Sequence, residues 1–291
     1  MENKKYIEAL HLKMHETFKE TIEFLESHNL KWYCSAGTAL GAVRHHDFIP
    51  WDDDIDIYMP RADYNILLSL KRAVKSSTNL ELINIDDEGY TQWFAKFVDK
   101  HSTTFESFDI PIIYGVWVDV FPLDFSSNSI IENRKISSEY RRLFLKYQLT
   151  VLPNSFKKFL YELSRLRFKR IFGRLVNLLF TGRKQFLKDK FKEFDKSIQS
   201  DKGDYLVSYC ERGRILNCDW FKSSEWVDFN NYKVRIPCGY DEYLRSVFGN
   251  YMELPPVDKR ITHQMKYVNL KERLTKDEIV RRIRSGESFI A

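Results

Sequence analysis

Apolar residues recur at every fourth position from Tyr6 through Leu10, Met14, Phe18 and Ile22, and Leu25 completes the stripe, with charged residues between them. That period predicts an amphipathic helix over 4–27 with one face on a core. The pattern then changes. Lys31 to Cys34 reads as a short strand, a turn follows at Ser35, Ala36, Gly37 and Thr38, and Thr38 to Arg44 opens a short helix. Ile55 and Ile57 alternate with Asp54 and Asp56, the signature of a half-buried strand carrying both carboxylates on one face. A helix is expected over 61–74 and strands over 80–85 and 93–98. In Tyr114 to Asp124, Val116, Val118 and Val120 share one face and Trp117 and Asp119 the other. Pro122 is expected to end that strand, which would leave Asp124 in a turn or a helix cap. Residues 130–200 are helical in pattern, and 203–240 contain short β-like pieces. Tyr240, Tyr243, Leu244 and Phe248 are spaced as a helix stripe, with Gly249 as its cap and Pro255-Pro256 preventing continuation. These elements make an α+β fold, a mixed β-sheet core flanked by helices. A catalytic core over 1–125, a mainly helical insertion over 126–200 and a C-terminal part over 201–291 are expected.

At 291 residues and 43% hydrophobic, the chain can build a core without disulfide support. Cys34, Cys210, Cys218 and Cys238 form no C-x-x-C pair, and the charged N-terminus has no apolar signal core. Reduced thiols and a cytoplasmic location follow, with zinc held by Cys210, Cys218 and Cys238 as the alternative use. No apolar run is long enough to span a bilayer. The net charge of +5 is unevenly placed: Lys157 to Lys190 holds eleven Lys/Arg against Glu162 and Asp189. Within that block, residues 168–180 carry an apolar stripe with Lys169, Arg170, Arg174 and Asn177 off it. Either this is a core helix with a solvated basic face, or it lies on anionic lipid. No nucleic-acid-binding module is visible, and no nucleic-acid partner is expected.

The chemistry concentrates between Tyr33 and Met59. Acidic runs are usually solvated loops, but Trp51, Ile55, Ile57, Tyr58 and Met59 pack around Asp52, Asp53, Asp54 and Asp56 in sequence. Asp54 and Asp56, about 6–7 Å apart on one strand face, suit Mg²⁺ (or Mn²⁺), which keeps waters and takes phosphate oxygens as further ligands. Gly37 and Thr38 offer backbone N–H groups to a phosphate at a helix start, and Arg44 lies one or two turns on. A single aspartate in a valine-rich strand is costly unless paired, which makes Asp119 the third metal ligand and a proton acceptor for an attacking hydroxyl. Lys96 is either a charge that blunts an edge strand or a phosphate contact. His45 and His46 are open to acid–base or structural roles.

The strings GTALGAVRHHDFIPWDDDID and GVWVDVFPLD, with Lys96, Asp99 and Thr103 between them and YDEYL, GNYM and LPP in the tail, resemble the LicD family. That family includes phosphocholine transferases and fukutin-related ribitol-phosphate transferases. The resemblance implies a nucleotidyltransferase-like fold in which Asp54, Asp56 and Asp119 hold the metal. Gly37-Thr38 stands where that superfamily usually has Gly-Ser. The resemblance favours Lys96 as a phosphate contact and makes Arg260 and His263 phosphate or acceptor contacts. It implies transfer of a phospho-alcohol, phosphocholine foremost, from a CDP-activated alcohol such as CDP-choline. The acceptor would be a hydroxyl of a cell-surface glycan, a teichoic acid precursor or a lipid-linked glycan, with release of CMP. Peripheral contact with the inner membrane leaflet through 157–190 would suit a lipid-linked acceptor. Ribitol- or glycerol-phosphate transfer, nucleotidyl transfer releasing pyrophosphate, and a non-catalytic binding role are the alternatives. For choline, Trp32, Tyr33, Trp51, Tyr58, Trp93 and Trp117 are available to cage the quaternary ammonium.

Overall fold

The structure is a computed structural model that describes residues 2–88, 90–105, 113–151, 182–211, 213–260, 262 and 265–290. Helix α1 (Glu2–Ser27) buries Leu10, Met14, Phe18, Ile22 and Leu25, the expected stripe. It packs across a sheet of seven strands. β1 (Tyr33–Cys34), β2 (Asp56–Pro60), β7 (Trp117–Ser126), β4 (Ala95–Asp99) and β3 (Leu80–Ile83) lie side by side in that order. β8 (Tyr205–Ser208) joins the far end of β7, and β9 (Arg214–Asn217) pairs with β8. β2 and β7 run parallel, and the other pairings in this sheet are antiparallel. The sheet is therefore mixed and flanked by helices.

Between β1 and β2 the chain forms α2 (Ala36–Arg44), so the expected turn at Ser35–Thr38 is the first turn of that helix. Gly41 is required at its middle, because a Cβ there would strike the backbone of residues 47–49. The expected helix over 61–74 is divided at Leu70 into α3 (Arg61–Ser69) and α4 (Lys71–Ser77). A second sheet joins β5 (Thr103–Phe105) and β6 (Ile113–Tyr114) to β12 (Tyr267–Asn269) and β13 (Phe289–Ile290). β10 (Ser224–Phe229) and β11 (Tyr232–Pro237) make a hairpin. α5 (Ile130–Val151) and α6 (Lys184–Ile198) enclose a second core in which Trp93 stacks on Phe191 at 3.6 Å. α7 (Tyr240–Phe248) buries Tyr243 and Leu244 and ends at Gly249, whose φ of +68° is the left-handed cap that glycine favours. α8 (Lys276–Arg284) opens with a capping box between Thr275 and Glu278. Residues 168–180 lie outside the described residues.

Pro122 does not end its strand. Asp119 donates its N–H to Ile55 at 2.7 Å, towards β2, so the N–H groups at even positions of β7 face the opposite side. On that side β4 covers only Trp117–Val120, and β8 pairs from Asp124. Pro122 falls in the gap, where the absence of an N–H costs no ladder bond. The strand runs on, and Asp124 is not a cap: it is fully buried and accepts two 2.7 Å hydrogen bonds from the guanidinium of Arg61, the first residue of α3. Arg61 also meets Asp195 of α6 at 3.3 Å. This pair ties sheet, α3 and α6 together. Removing one partner strands a buried charge, so Asp124→Ala is expected to lower the unfolding free energy by about 3–5 kcal/mol, measured by urea denaturation.

Candidate active site

Register sets the centre of the site. Asp56 stands opposite Asp119 on β7, and Asp119 stands opposite Lys96 on β4. The three side chains form one row across three adjacent strands, on one face of the sheet. Lys96 is ion-paired with Asp119, and both are almost completely buried. β4 lies between β7 and β3, so Lys96 does not blunt an edge. Its ammonium sits over Trp117 at 4.6 Å and Phe94 at 5.2 Å. Asp124 falls on the opposite face of β7 from Asp119, by alternation along the strand, and does not compete for the role of third carboxylate.

Asp54 lies in the extended approach to β2, ahead of its first residue Asp56, yet the alternation holds: Ile55 and Ile57 are fully buried, while Asp54 and Asp56 are half-buried. Burial holds the Asp56 carboxyl well above the usual carboxylate range, and Asp54, Asp119, Glu211 and Asp52 push it further. Asp119 is pushed up to about 6 by burial, opposed by Lys96 and reinforced by Asp54. Close by, Asp52, Asp53 and Asp54 each offer an oxygen, all three within 4.8 Å of one another. Such a gathering of mutually repelling carboxylates fits a hard divalent cation, and its all-oxygen donors match magnesium or manganese. Of the expected ligands Asp54, Asp56 and Asp119, only Asp54 belongs to that threesome; Asp56 and Asp119 feel its charge from outside it.

The tip of α2 lies against this row. Ser35 donates its backbone N–H to the Asp56 carbonyl at 3.0 Å, and the Thr38 hydroxyl accepts the Asp56 N–H at 2.8 Å. The helix start thus grips both sides of Asp56. Gly37 is small because the Asp52 carboxylate fills the place of its Cβ. Ser35 occupies the cap position, but its hydroxyl caps nothing and is buried with no hydrogen-bond partner among the described residues. The first-turn N–H groups of a helix have no intrahelical partners, which leaves the tip suited to an anion.

Arg44 is the last residue of α2, about 12 Å from the tip. Its Nη1 donates to the Tyr251 carbonyl at 2.6 Å and its Nε to His45 at 3.0 Å. Burial, with the nearby charge of Arg260, lowers its proton affinity. Arg260 stacks over Trp51 at 5.0 Å. Two guanidiniums and Trp51 therefore form a basic rim beside the acidic loop. His45 serves as the acceptor for Arg44, and burial lowers its pKa. His46 is a left-handed turn residue, with φ of +54°. His263 lies outside the described residues.

Other residues of the motifs are structural. Asp99 accepts from Ser102 and from the His101 N–H and pairs with Lys13 at 3.2 Å. The Thr103 hydroxyl bridges the Glu272 carbonyl and the Leu274 N–H. Among the aromatics considered for a cage, Trp32, Tyr33, Tyr58 and Trp93 are core, and Trp117 and Trp51 carry Lys96 and Arg260. Two contributors to the site had no sequence signal: His11 of α1, 2.8 Å from the Asp52 carbonyl, and Glu211 in the β8–β9 turn. Both approach from more than forty residues away in sequence.

Residues 29–171 match the family model described as LicD/FKTN/FKRP, nucleotidyltransferase domain. The lipopolysaccharide cholinephosphotransferase LicD of Haemophilus influenzae is 26% identical over 251 residues, 83% of this chain and 89% of that protein. The mouse ribitol 5-phosphate transferase FKRP is 30% identical over 77 residues, 26% of this chain and 14% of that protein. An uncharacterised protein of Rickettsia prowazekii is 44% identical over 52 residues, 18% of this chain and 20% of that protein. With this fold, the likeness makes the protein a phosphotransferase. The likeness to the nucleotidyltransferase domain of the LicD family lies in residues 29–171, just under half of the chain.

Because the folded state holds the Asp119 proton more tightly than the ordinary aspartate value of 3.8, this group favours the folded state at low pH. That contribution is lost as pH rises from about 4 to about 6. Metal-free protein is therefore expected to lose thermal stability over that interval, and the gain on adding Mg²⁺ should grow over the same interval. Unfolding scans in EDTA and in Mg²⁺ would test it; a Mg²⁺ gain flat across this range contradicts the assignment.

Proposed function

We propose that the protein transfers a phospho-alcohol, phosphocholine foremost, from a CDP-activated alcohol to a hydroxyl of a cell-surface glycan or teichoic acid precursor. The acceptor oxygen forms a bond to the distal phosphorus, the bond from that phosphorus to CMP breaks, and the hydroxyl proton passes to a base. The supporting observation is the Asp56–Asp119 row against the α2 tip, in a chain alike over most of its length to a cholinephosphotransferase. Asp54, Asp56 and Asp119 would hold Mg²⁺ (or Mn²⁺), which when bound neutralises charge on the pyrophosphate oxygens. The N–H groups of Gly37 and Thr38 would take one phosphate, and Arg44, Arg260 and His263 would line the outer side. Asp119, held in place by Lys96, would receive the proton.

Choline as the alcohol rests on the Haemophilus relative, since the candidate aromatics form no open cage. The likeness to FKRP supports ribitol-phosphate as the second reading. A lipid-linked acceptor at the cytoplasmic face, approached through the basic block 157–190, belongs to the same proposal. Among the described residues no helix is long and apolar enough to cross a membrane.

A thermal-shift panel of CDP-choline, CDP-ribitol, CDP-glycerol and CTP with Mg²⁺ tests the donor without needing the acceptor. A ligand at 100 times its dissociation constant adds about 2.7 kcal/mol of stability. A shift confined to one CDP-alcohol names the transferred group; a shift with CTP alone points to nucleotidyl transfer instead. Asp56→Asn is expected to abolish transfer while leaving the fold intact, and retention of transfer would remove Asp56 from the site.

A further inference from the structure

The backbone at the α2 tip is strained. Ala36, its first residue, has a φ of +42°, a left-handed conformation that residues with a Cβ adopt only when their surroundings hold them there. The holding group is identifiable. The Ala36 N–H donates to the hydroxyl of Tyr243 at 2.8 Å. Tyr243 is fully buried in α7 and sits edge-on to Tyr58 at 6.1 Å and to Phe221 at 5.7 Å. Tyr58 lies on β2 two residues beyond Asp56, on the same face, and donates its hydroxyl to Glu211. Arg214 fixes Glu211 in turn at 2.8 Å. A buried polar chain thus runs from the β8–β9 turn, past the metal-binding strand, to α7 and the helix tip.

We propose that Tyr243 is a positioning residue for the donor: it holds Ala36 in its left-handed geometry and so aims the following N–H groups of Gly37 and Thr38 at the donor phosphate. The proposal rests on the reading of the α2 tip as the donor site. It gives the C-terminal part of the chain a role on the donor side, with no contact to donor required. Two features favour this over packing alone. A phenylalanine would fill the same space, yet the hydroxyl is kept and meets both the Ala36 N–H and the Tyr58 side chain. And the strain it holds lies at the helix tip that carries the orphaned Ser35 hydroxyl.

Tyr243→Phe removes the oxygen and keeps the ring. It is expected to lower kcat/KM for the CDP-alcohol about tenfold, the loss of one well-placed hydrogen bond, with Tm little changed. Ala36→Gly in the same chain should recover most of that loss, because glycine adopts positive φ without support; a purely structural defect would not be recovered this way. A Tyr243→Phe variant with full activity, or a loss that Ala36→Gly does not recover, overturns the proposal. Amide hydrogen exchange provides a readout independent of substrate. In Tyr243→Phe the amides of residues 36–38 should exchange at least tenfold faster, and unchanged exchange there also overturns it. If the unmodified protein transfers nothing from any CDP-alcohol, the functional reading fails, and the exchange rates still decide whether Tyr243 holds the tip.

Discussion

Bringing several carboxylates together in a half-buried row is the constraint on which this structure depends. Each aspartate at the edge of the core loses hydration and repels its neighbours, and both effects favour the protonated form over the charged one that binds a cation. The fold meets this in two ways. Lys96 is brought into register with Asp119 from an inner strand, so one negative charge is matched inside the sheet. Asp54 and Asp56 keep part of their surface in solvent beside the start of α2.

The surrounding elements fix this row by its backbone as well as its side chains. α2 holds the Asp56 peptide from both sides, and the loop of residues 47–49 lies against Gly41 with no room for a Cβ. His11 reaches from α1 to the carbonyl of Asp52. Lys13, two residues along the same helix, pairs with Asp99, which also ties down the turn after β4. The N-terminal helix thus braces both acidic stretches that flank the centre, in addition to covering the sheet.

Much of this was legible in the sequence, where local pattern and tertiary role agree. The α1 stripe, the alternation around Asp56, the valine face of β7 and the Gly249 cap each depend on short-range periodicity or backbone preference, and each is found. The errors share a different origin. Pro122 was expected to end β7 because its neighbours were unknown; only the gap between β4 and β8 explains its tolerance. Asp124 was assigned to a turn for the same reason, and its guanidinium partner comes from a helix more than sixty residues earlier. Lys96 was open between an edge and a site, and strand order decides it. His11 and Glu211 carry no signal at all, and the stripe that places Tyr243 on a helix says nothing of its hydroxyl's partner, since an isolated polar group is chemically mute until the chain folds it against another.

β7 serves two purposes along its length. Its first residues carry Asp119 and the pairing with Lys96; its last residues carry Asp124 and the lock on Arg61, on the other face. A genetic screen scoring loss of activity would find both aspartates and would class them together. Only one of them lies in the candidate site. In such a screen the alternation of a single strand, odd positions facing the carboxylate row and even positions facing the scaffold, would separate an inactive enzyme from an absent one.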